Sequence, residues 1–586
     1  MAFGPENGFS KELHATKYRD DNETFDDYCV RYARTAANSE NHFRLLLDAL
    51  RHQRILPAGR QQLAVGRPHT ITTMNCFVGG HIDDSMAGIM DELKNGALTL
   101  RTGGGIGFDF SSIRPYGEPI RGLGFKAYAT GPITFMEMWN AMSGTVMSAG
   151  HRRGAMMGTL RCDHPDILKF INAKKDQDSL KNFNLSVLIT DDFMKALEAD
   201  ESYELKFDDR VYGELKASEV WAVIMQTNWQ YAEPGVLFID TIGYMNPLYY
   251  HTESWPVSTN PCGEVPLPHN GSCLLASLNI VKYLVPKLKT SNGNVFERTY
   301  EIDEHLLAND TVATVRALDT IIDKSYYPLD KYKERHQQDR RMGIGVTGVA
   351  NALEIMGYSY GTPDYIEQQS KLLETIRNVA YTTSAILAKE RGPFPLYDEK
   401  SYCAGGFFKT LPENIQKLIR ENGLRNALLL SIAPTGTISL CADNVSSGIE
   451  PPYSLTAKRL VHMNDGQREV EVNDYAYERY GVAGKTAYEV TAEEHVDVLC
   501  AAQKYIDHAV SKTCNVYGQI AGQGSGVTYD EFEQLYLRAY KNGAKGCCTF
   551  NVNGTKIGIF TTEQQQEENN GACRIDATTG VRTCDT

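Results

Sequence analysis

From about residue 51 to residue 560, short runs of Val, Ile, Leu and Phe alternate with longer amphipathic segments such as ADESYELKFDDRVYGELKASEVWAVIMQTNW and YIEQQSKLLETIRNVAYTTSAILAKERG. Strands that alternate with helices have to bury both faces of a mainly parallel sheet, so this pattern predicts an α/β architecture. No internal repeat or low-complexity linker divides the stretch. Residues 1–50 carry apolar positions at helical spacing, as in ETFDDYCVRYARTAANSENHFRLLLDAL, and predict a helical lead-in. Residues 561–586 are polar and rich in Gly, Thr and Asn, with little to bury, which predicts a mobile tail.

The overall balance narrows the function classes. A chain of 586 residues that is 42% hydrophobic can bury a large core, and its formal net charge of −14 argues against a nucleic acid or an anionic membrane held by bulk charge. The start, MAFGPENGFSKELHATKYRDD, lacks the apolar core of a signal peptide, and no apolar run is long enough to span a bilayer, so a cytoplasmic enzyme is expected. Thirteen cysteines are too sparse for a disulfide scaffold, and the odd number suits a reducing compartment. Cys29, Cys162, Cys403, Cys441, Cys500 and Cys514 sit mostly beside apolar residues, where cysteine behaves as a small buried hydrophobe. No pair of motifs has zinc-ligand spacing, so no metal is expected.

Chemistry concentrates in Ser258-Thr259-Asn260-Pro261-Cys262-Gly263-Glu264. Alternate residues of an extended segment project the same way, so Asn260, Cys262 and Glu264 can face one substrate, with Pro261 and Gly263 favouring an ordered loop between them. A second thiol, Cys273, follows. Read alone, the stretch is better taken as a buried cysteine in a turn, and only its surroundings change that. Ala433-Pro434-Thr435-Gly436-Thr437-Ile438 offers amides and hydroxyls to a phosphate before a helix, although an ordinary hydroxyl cap has the same composition. Arg101-Thr102-Gly103-Gly104-Gly105-Ile106-Gly107 allows close backbone approach but matches neither the dinucleotide fingerprint nor a P-loop. Gly150-His151-Arg152-Arg153-Gly154 is a basic loop that suits an anion or a base. Cys573 and Cys584 in the tail form a thiol pair able to exchange with a disulfide elsewhere, or half of a metal site.

Taken in order, these segments resemble the catalytic subunits of ribonucleotide reductases. The resemblance rests on Asn75-Cys76 ahead of Asp84-Ser85, Gly105-Ile106-Gly107 leading to Ile113-Arg114, Arg153-Gly154-Ala155, Asn260-Pro261-Cys262-Gly263-Glu264 with Cys273, Arg341-Met342-Gly343-Ile344-Gly345, and Ala433-Pro434-Thr435 with Gly448-Ile449-Glu450-Pro451-Pro452. It implies a ten-stranded α/β barrel of two five-stranded parallel halves, with a central finger loop carrying Cys262. It further implies a thiyl radical at Cys262 that abstracts the ribose 3′-hydrogen, Glu264 as the acceptor of the 3′-hydroxyl proton, and Asn260 as a hydrogen-bond partner of the ribose. Cys76 and Cys273 would supply two electrons by forming a disulfide, the tail pair Cys573/Cys584 would reduce it, and a thioredoxin-type protein would reduce the tail. Pro434, Thr435, Gly436, Thr437 and Ile438 would hold the substrate phosphates, with Asn75 and Gly105 near the sugar.

The radical source is argued from an absence. Oxygen-dependent relatives carry a tandem tyrosine after an Ala-Tyr-Lys-x-Gly segment; here Ala539-Tyr540-Lys541-Asn542-Gly543 leads to Cys547-Cys548, and no glycyl-radical signature stands near the C-terminus. The resemblance therefore implies the adenosylcobalamin-dependent type, with an oxygen-dependent large subunit needing a second subunit as the alternative. Asp84, Ser85, Arg114 and Arg121 match positions that bind a deoxynucleoside triphosphate effector at a homodimer interface in relatives, and Arg152 and Arg153 fall in the loop that passes this signal to the base pocket. With so short a lead-in, the ATP-binding cone of some relatives and its overall activity switch are not expected. Two other classes remain: a thiol-redox protein, which would not need Asn260 and Glu264, and a catalytically dead nucleotide-binding module, which would not need Cys262.

Overall fold

The computed structural model describes residues 3–561 apart from 69, 121–126, 147–154, 177–178, 292–293, 464–465, 519–525 and 555–559, together with 574–575 and 582–583. Twelve strands position the site: β1 (Ile55–Pro57), β2 (Cys76–Val78), β3 (Gly105–Asp109), β4 (Met156–Arg161), β5 (Phe183–Ile189), β6 (Gly235–Phe238), β7 (Ser258–Thr259), β8 (Pro266–Leu267), β9 (Ser272–Asn279), β10 (Met342–Thr347), β11 (Thr513–Val516) and β12 (Gly546–Asn551). All but β7 and β8 belong to one ten-stranded sheet. The predicted α/β class is therefore found, with a large mixed sheet at its centre.

Two sets of parallel strands, with β1 antiparallel on β9, make up that sheet. β2, β3, β4, β5 and β6 run parallel in that order. β9 and β10 are parallel, as are β11 and β12. The sets meet antiparallel at two seams, β2 against β9 and β6 against β12. Between β10 and β11 runs the segment 428–432. It is joined on one side by Ile344 N–H to Leu429 O at 2.8 Å and Ser431 N–H to Ile344 O at 3.1 Å, and on the other by Ile432 N–H to Ala509 O at 3.2 Å.

Burial on both faces explains the composition of the strands. In β9 every residue is buried: Leu274, Ala276 and Leu278 enter the main core, whereas Cys273 and Leu275 belong to a second apolar cluster with Ala58, Cys76, Val78, Val265 and Leu267. Parallel strands covered by helices lose their polar alternation for this reason. The helices begin where the sequence carries capping boxes, Thr24 with Asp27, Thr491 with Glu494 and Thr528 with Glu531. The longest, Pro363–Arg391, starts with Thr362 as its cap and Pro363 in its first turn, and ends before Gly392 at φ +84°. The lead-in folds as helices Gly8–Tyr18, Phe25–Ala36 and Glu40–Arg51. Among the described residues no helix is long and apolar enough to cross a membrane.

Candidate active site

A hairpin lies against the sheet. β7 and β8 pair antiparallel, Thr259 opposite Pro266, and the six residues between them form the tip. The hairpin lies so close to β3 that a Cβ on Gly107 would stand 1.9 Å from the Thr259 carbonyl oxygen. Only a residue without a side chain fits there. The glycine run is thus part strand, and Gly107 makes room for the hairpin. At the tip, Gly263 at φ +83° turns the chain, and Gly263 N–H donates to Asn260 O at 3.0 Å. Asn184 of β5 donates to Pro261 O at 2.7 Å, while Ser431 Oγ and Ala509 N–H donate to Glu264 O at 2.9 and 3.0 Å. The tip is therefore fixed from β5, from segment 428–432 and from the loop that leads into β11.

The alternating residues of the tip differ in burial. Cys262 is exposed, and a Cβ on neighbouring Gly263 would meet nothing within 4 Å. Asn260 and Glu264 are buried, at 3% and 2% exposure. The Asn260 side chain accepts from Val265 N–H at 3.0 Å and donates to Cys76 Sγ at 3.2 Å. Cys76 Sγ also lies 4.0 Å from Glu264 Oε1. Cys76 and Cys273 stand directly opposite one another across the β2–β9 seam. Opposed residues of an antiparallel pair have Cα atoms about 4.5–5.5 Å apart, inside the roughly 4.4–6.8 Å span of a disulfide.

Burial sets the electrostatics. It pushes the Glu264 carboxyl up to about 7, against a smaller downward pull from the Asn260 amide, and Glu264 Oε2 has no hydrogen-bond partner. It also drives the Cys76 and Cys273 thiols well above the ordinary range; Glu264 adds to the rise at Cys76, and Arg341 opposes the rise at Cys273. A carboxyl titrating near neutrality can both take and return a proton. Two opposed thiols can give up two electrons by joining.

The remaining expected residues fall into three groups. Asn75 and Gly105 adjoin the tip: Gly105 N–H donates to Asn75 O at 3.0 Å, and a Cβ on Gly105 would lie 3.2 Å from Pro261 Cγ. Pro434, Thr435, Gly436, Thr437 and Ile438 follow the 428–432 segment. Thr435 sits in the left-handed region at φ +52°, and its Oγ1 accepts from Gly448 N–H at 2.8 Å instead of capping the short helix Gly436–Leu440. Gly436 and Thr437 are exposed. Asp84 and Arg114 pair at 2.6 Å, and Ser85 caps the helix Met86–Arg101. Arg121, Arg152, Arg153, Cys573 and Cys584 lie outside the described residues. Sequence reasoning did not single out Asn184 or Ser431, whose contacts with the tip come from segments distant in sequence.

A family model described as "Ribonucleotide reductase, barrel domain" matches residues 74–550. A vitamin B12-dependent ribonucleoside-diphosphate reductase of Thermoplasma acidophilum is 31% identical over 83% of this chain and 62% of its own length. One of Mycobacterium tuberculosis is 32% identical over 81% of this chain and 67% of its own, and a vitamin B12-dependent ribonucleotide reductase of Streptomyces clavuligerus is 26% identical over 92% and 63%. The chain thus spans about two thirds of the length of these relatives. The matched residues run from just before Cys76, through the hairpin and β9, to the end of β12, so the whole described site lies inside the match, and the chain belongs to the ribonucleotide reductase barrel-domain family.

Proposed function

We propose that this protein is a ribonucleoside-diphosphate reductase of the adenosylcobalamin-dependent type, reducing ribonucleotides to 2′-deoxyribonucleotides by thiyl-radical chemistry. The observation that carries this reading is the convergence of Asn260, Glu264 and Cys76 within 4.0 Å contacts, with Cys273 opposite Cys76 and the Cys262 thiol open beside them. A thiol-redox protein has no need of a buried carboxyl and amide around its pair. The curated relatives named above favour this type over an oxygen-dependent large subunit.

The architecture read here is a closed ten-stranded barrel. Its halves are β2 to β6, and β9, β10, segment 428–432, β11 and β12, with the β7–β8 hairpin as the finger loop. The backbone bonds at Ile344, Ser431 and Ile432 support that closure. The open ground around Cys262, with Asn184 holding the carbonyl of neighbouring Pro261, suits a bulky cofactor. Adenosylcobalamin bound there would supply the one-electron oxidation that makes the Cys262 thiyl radical. The chain's own groups then divide the work. Cys262 takes the ribose 3′-hydrogen, Glu264 receives the 3′-hydroxyl proton, and Asn260 holds the sugar. Cys76 and Cys273 give two electrons and two protons as the 2′-hydroxyl leaves as water, ending as a disulfide. The exposed backbone at Gly436 and Thr437 receives the diphosphate, with Pro434, Thr435 and Ile438 shaping the loop and Asn75 and Gly105 beside the ribose.

A deoxynucleoside triphosphate effector at Asp84, Ser85, Arg114, Arg121, Arg152 and Arg153 and a homodimer belong to the same reading. Met86, Met90 and Leu98 are exposed on the helix that Ser85 caps, which suits a helix-to-helix interface. Tail cysteines Cys573 and Cys584 and a thioredoxin-like reductant would restore the dithiol, in the cytoplasm. The test is incubation with a ribonucleoside diphosphate, dithiothreitol and a deoxynucleotide effector, with and without adenosylcobalamin. Deoxyribonucleotide that depends on the cofactor and disappears in Cys262→Ser is expected. Product without the cofactor, or none under any condition, overturns the cobalamin reading.

A further inference from the structure

The two thiols opposed across the β2–β9 seam have unlike surroundings. Cys76 faces Glu264 Oε1 and the Asn260 amide at the hairpin tip, on the way to exposed Cys262. Cys273 lies near Arg341, the strongest charged influence on its thiol. In the parallel β9–β10 pair Leu274 stands beside Met342, and Cys273 and Arg341 are the residues that immediately precede these two. Arg341 is fully buried. Its Nε donates to Asp339 Oδ2 at 2.6 Å, while Nη1 and Nη2 have no hydrogen-bond partner. Buried donors left without an acceptor favour any anion that forms within reach. The other charged groups acting on Cys273 are Asp339, Asp507 and Glu264, so Arg341 is the cation among them.

We infer that Arg341 sets the direction in which a Cys76–Cys273 disulfide opens: a reducing dithiol attacks the sulfur of Cys76, and Cys273 departs as the thiolate. The physical rule is that exchange is fastest when the leaving sulfur is the one whose thiolate is better stabilised. Attack forms a bond between the incoming sulfur and Cys76 as the Cys76–Cys273 bond breaks, and the electron pair stays on Cys273 beside the guanidinium. The second thiol of the dithiol then displaces Cys76. The dithiol ends as its own disulfide, and its two protons end on Cys76 and Cys273. Departure in the opposite sense would place the negative charge on Cys76 next to the Glu264 carboxyl. Arg341 is a positioning residue in this step, since it touches neither substrate nor cofactor. The inference rests on the reductase reading for its place in turnover.

The test needs no turnover. The full chain is oxidised with diamide, its remaining thiols are blocked with N-ethylmaleimide, and a brief pulse of 2-mercaptoethanol is followed by iodoacetamide and peptide mapping. The expected result is the mercaptoethanol adduct on Cys76 with carbamidomethyl on Cys273, in about tenfold excess over the reverse arrangement. Arg341→Gln brings the ratio towards one and slows reduction by dithiothreitol about tenfold, and Arg341→Lys restores part of the bias. An adduct mainly or equally on Cys273, a ratio unchanged in Arg341→Gln, or no Cys76–Cys273 disulfide overturns the inference. If Arg341→Gln does not fold, the ratio in the unaltered protein decides. Failure of the reductase reading shows separately, as reduced enzyme that makes no deoxyribonucleotide while the adduct ratio is still measured.

Discussion

Glu264 is a carboxyl whose burial raises its pKa to about 7 from an ordinary value of 4.5. The folded protein therefore keeps a proton between about pH 4.5 and 7 that the unfolded chain releases, and stability falls as pH rises across that window, by on the order of 3 kcal/mol for this group. Glu264→Gln removes the contribution. Urea unfolding at pH 5 and pH 7 is expected to show a smaller loss in the variant than in the unaltered protein, by roughly 2 kcal/mol; parallel losses would mean that the carboxyl is ionised in the fold. This residue was legible in the sequence because Asn260, Cys262 and Glu264 alternate, but their unequal burial was not: Asn260 and Glu264 are buried and Cys262 is exposed, at a tip that turns through Gly263 at φ +83°. Asn184, Ser431 and Arg341 gain their meaning from strand register, which a linear reading does not contain.

The hairpin is the element on which the site depends, and its seat is a missing side chain. A Cβ on Gly107 would stand 1.9 Å from a backbone oxygen, whereas one on Gly436 would meet nothing within 4 Å. Gly107→Ala is therefore expected to push β7 off β3, lowering stability by about 1–3 kcal/mol and dismantling the Asn260–Cys76 contact, while Gly436→Ala leaves the thermal midpoint nearly unchanged and, on the proposed reductase reading, raises KM for the diphosphate. Midpoints and KM for both variants check this contrast; equal midpoints would deny the hairpin its seat on β3. The sequence showed a glycine run suited to close backbone approach, and the close approach is real. Its partner on Gly107 is the chain's own Thr259 carbonyl, because a strand glycine serves any backbone that comes near, ligand or protein alike. Thr435 is the converse case. Its composition fits a helix cap, yet its hydroxyl is spent on Gly448, tying together two motifs that are separate in sequence.

At the scale of the whole molecule, the thiol pair lies on a seam. Cys76 belongs to the parallel set that ends with β6, and Cys273 begins the antiparallel-facing set of β9 and β10, so a bond between them crosses from one set to the other. Strand and helix alternation made the α/β class legible, but the seam was not, because the antiparallel meeting of β2 and β9 joins segments about 200 residues apart and is decided by packing. Its chemistry has a mechanical consequence. Closing a loop of about 200 residues removes chain entropy from the unfolded state worth up to roughly 5 kcal/mol, and β-pair geometry lets the bond form without large backbone movement. Oxidation should therefore raise the thermal midpoint of the substrate-free protein, and dithiothreitol should reverse it. Cys273→Ser should show no redox-dependent shift, although its reduced midpoint stays near that of the unaltered protein. A midpoint that falls on oxidation, or a shift that persists in Cys273→Ser, would place the oxidisable pair elsewhere among the cysteines. The expected rise also bears on turnover: if the oxidised product state is the more rigid one, reopening the disulfide has to release a bond that holds the two strand sets together, and the seam is where that release begins.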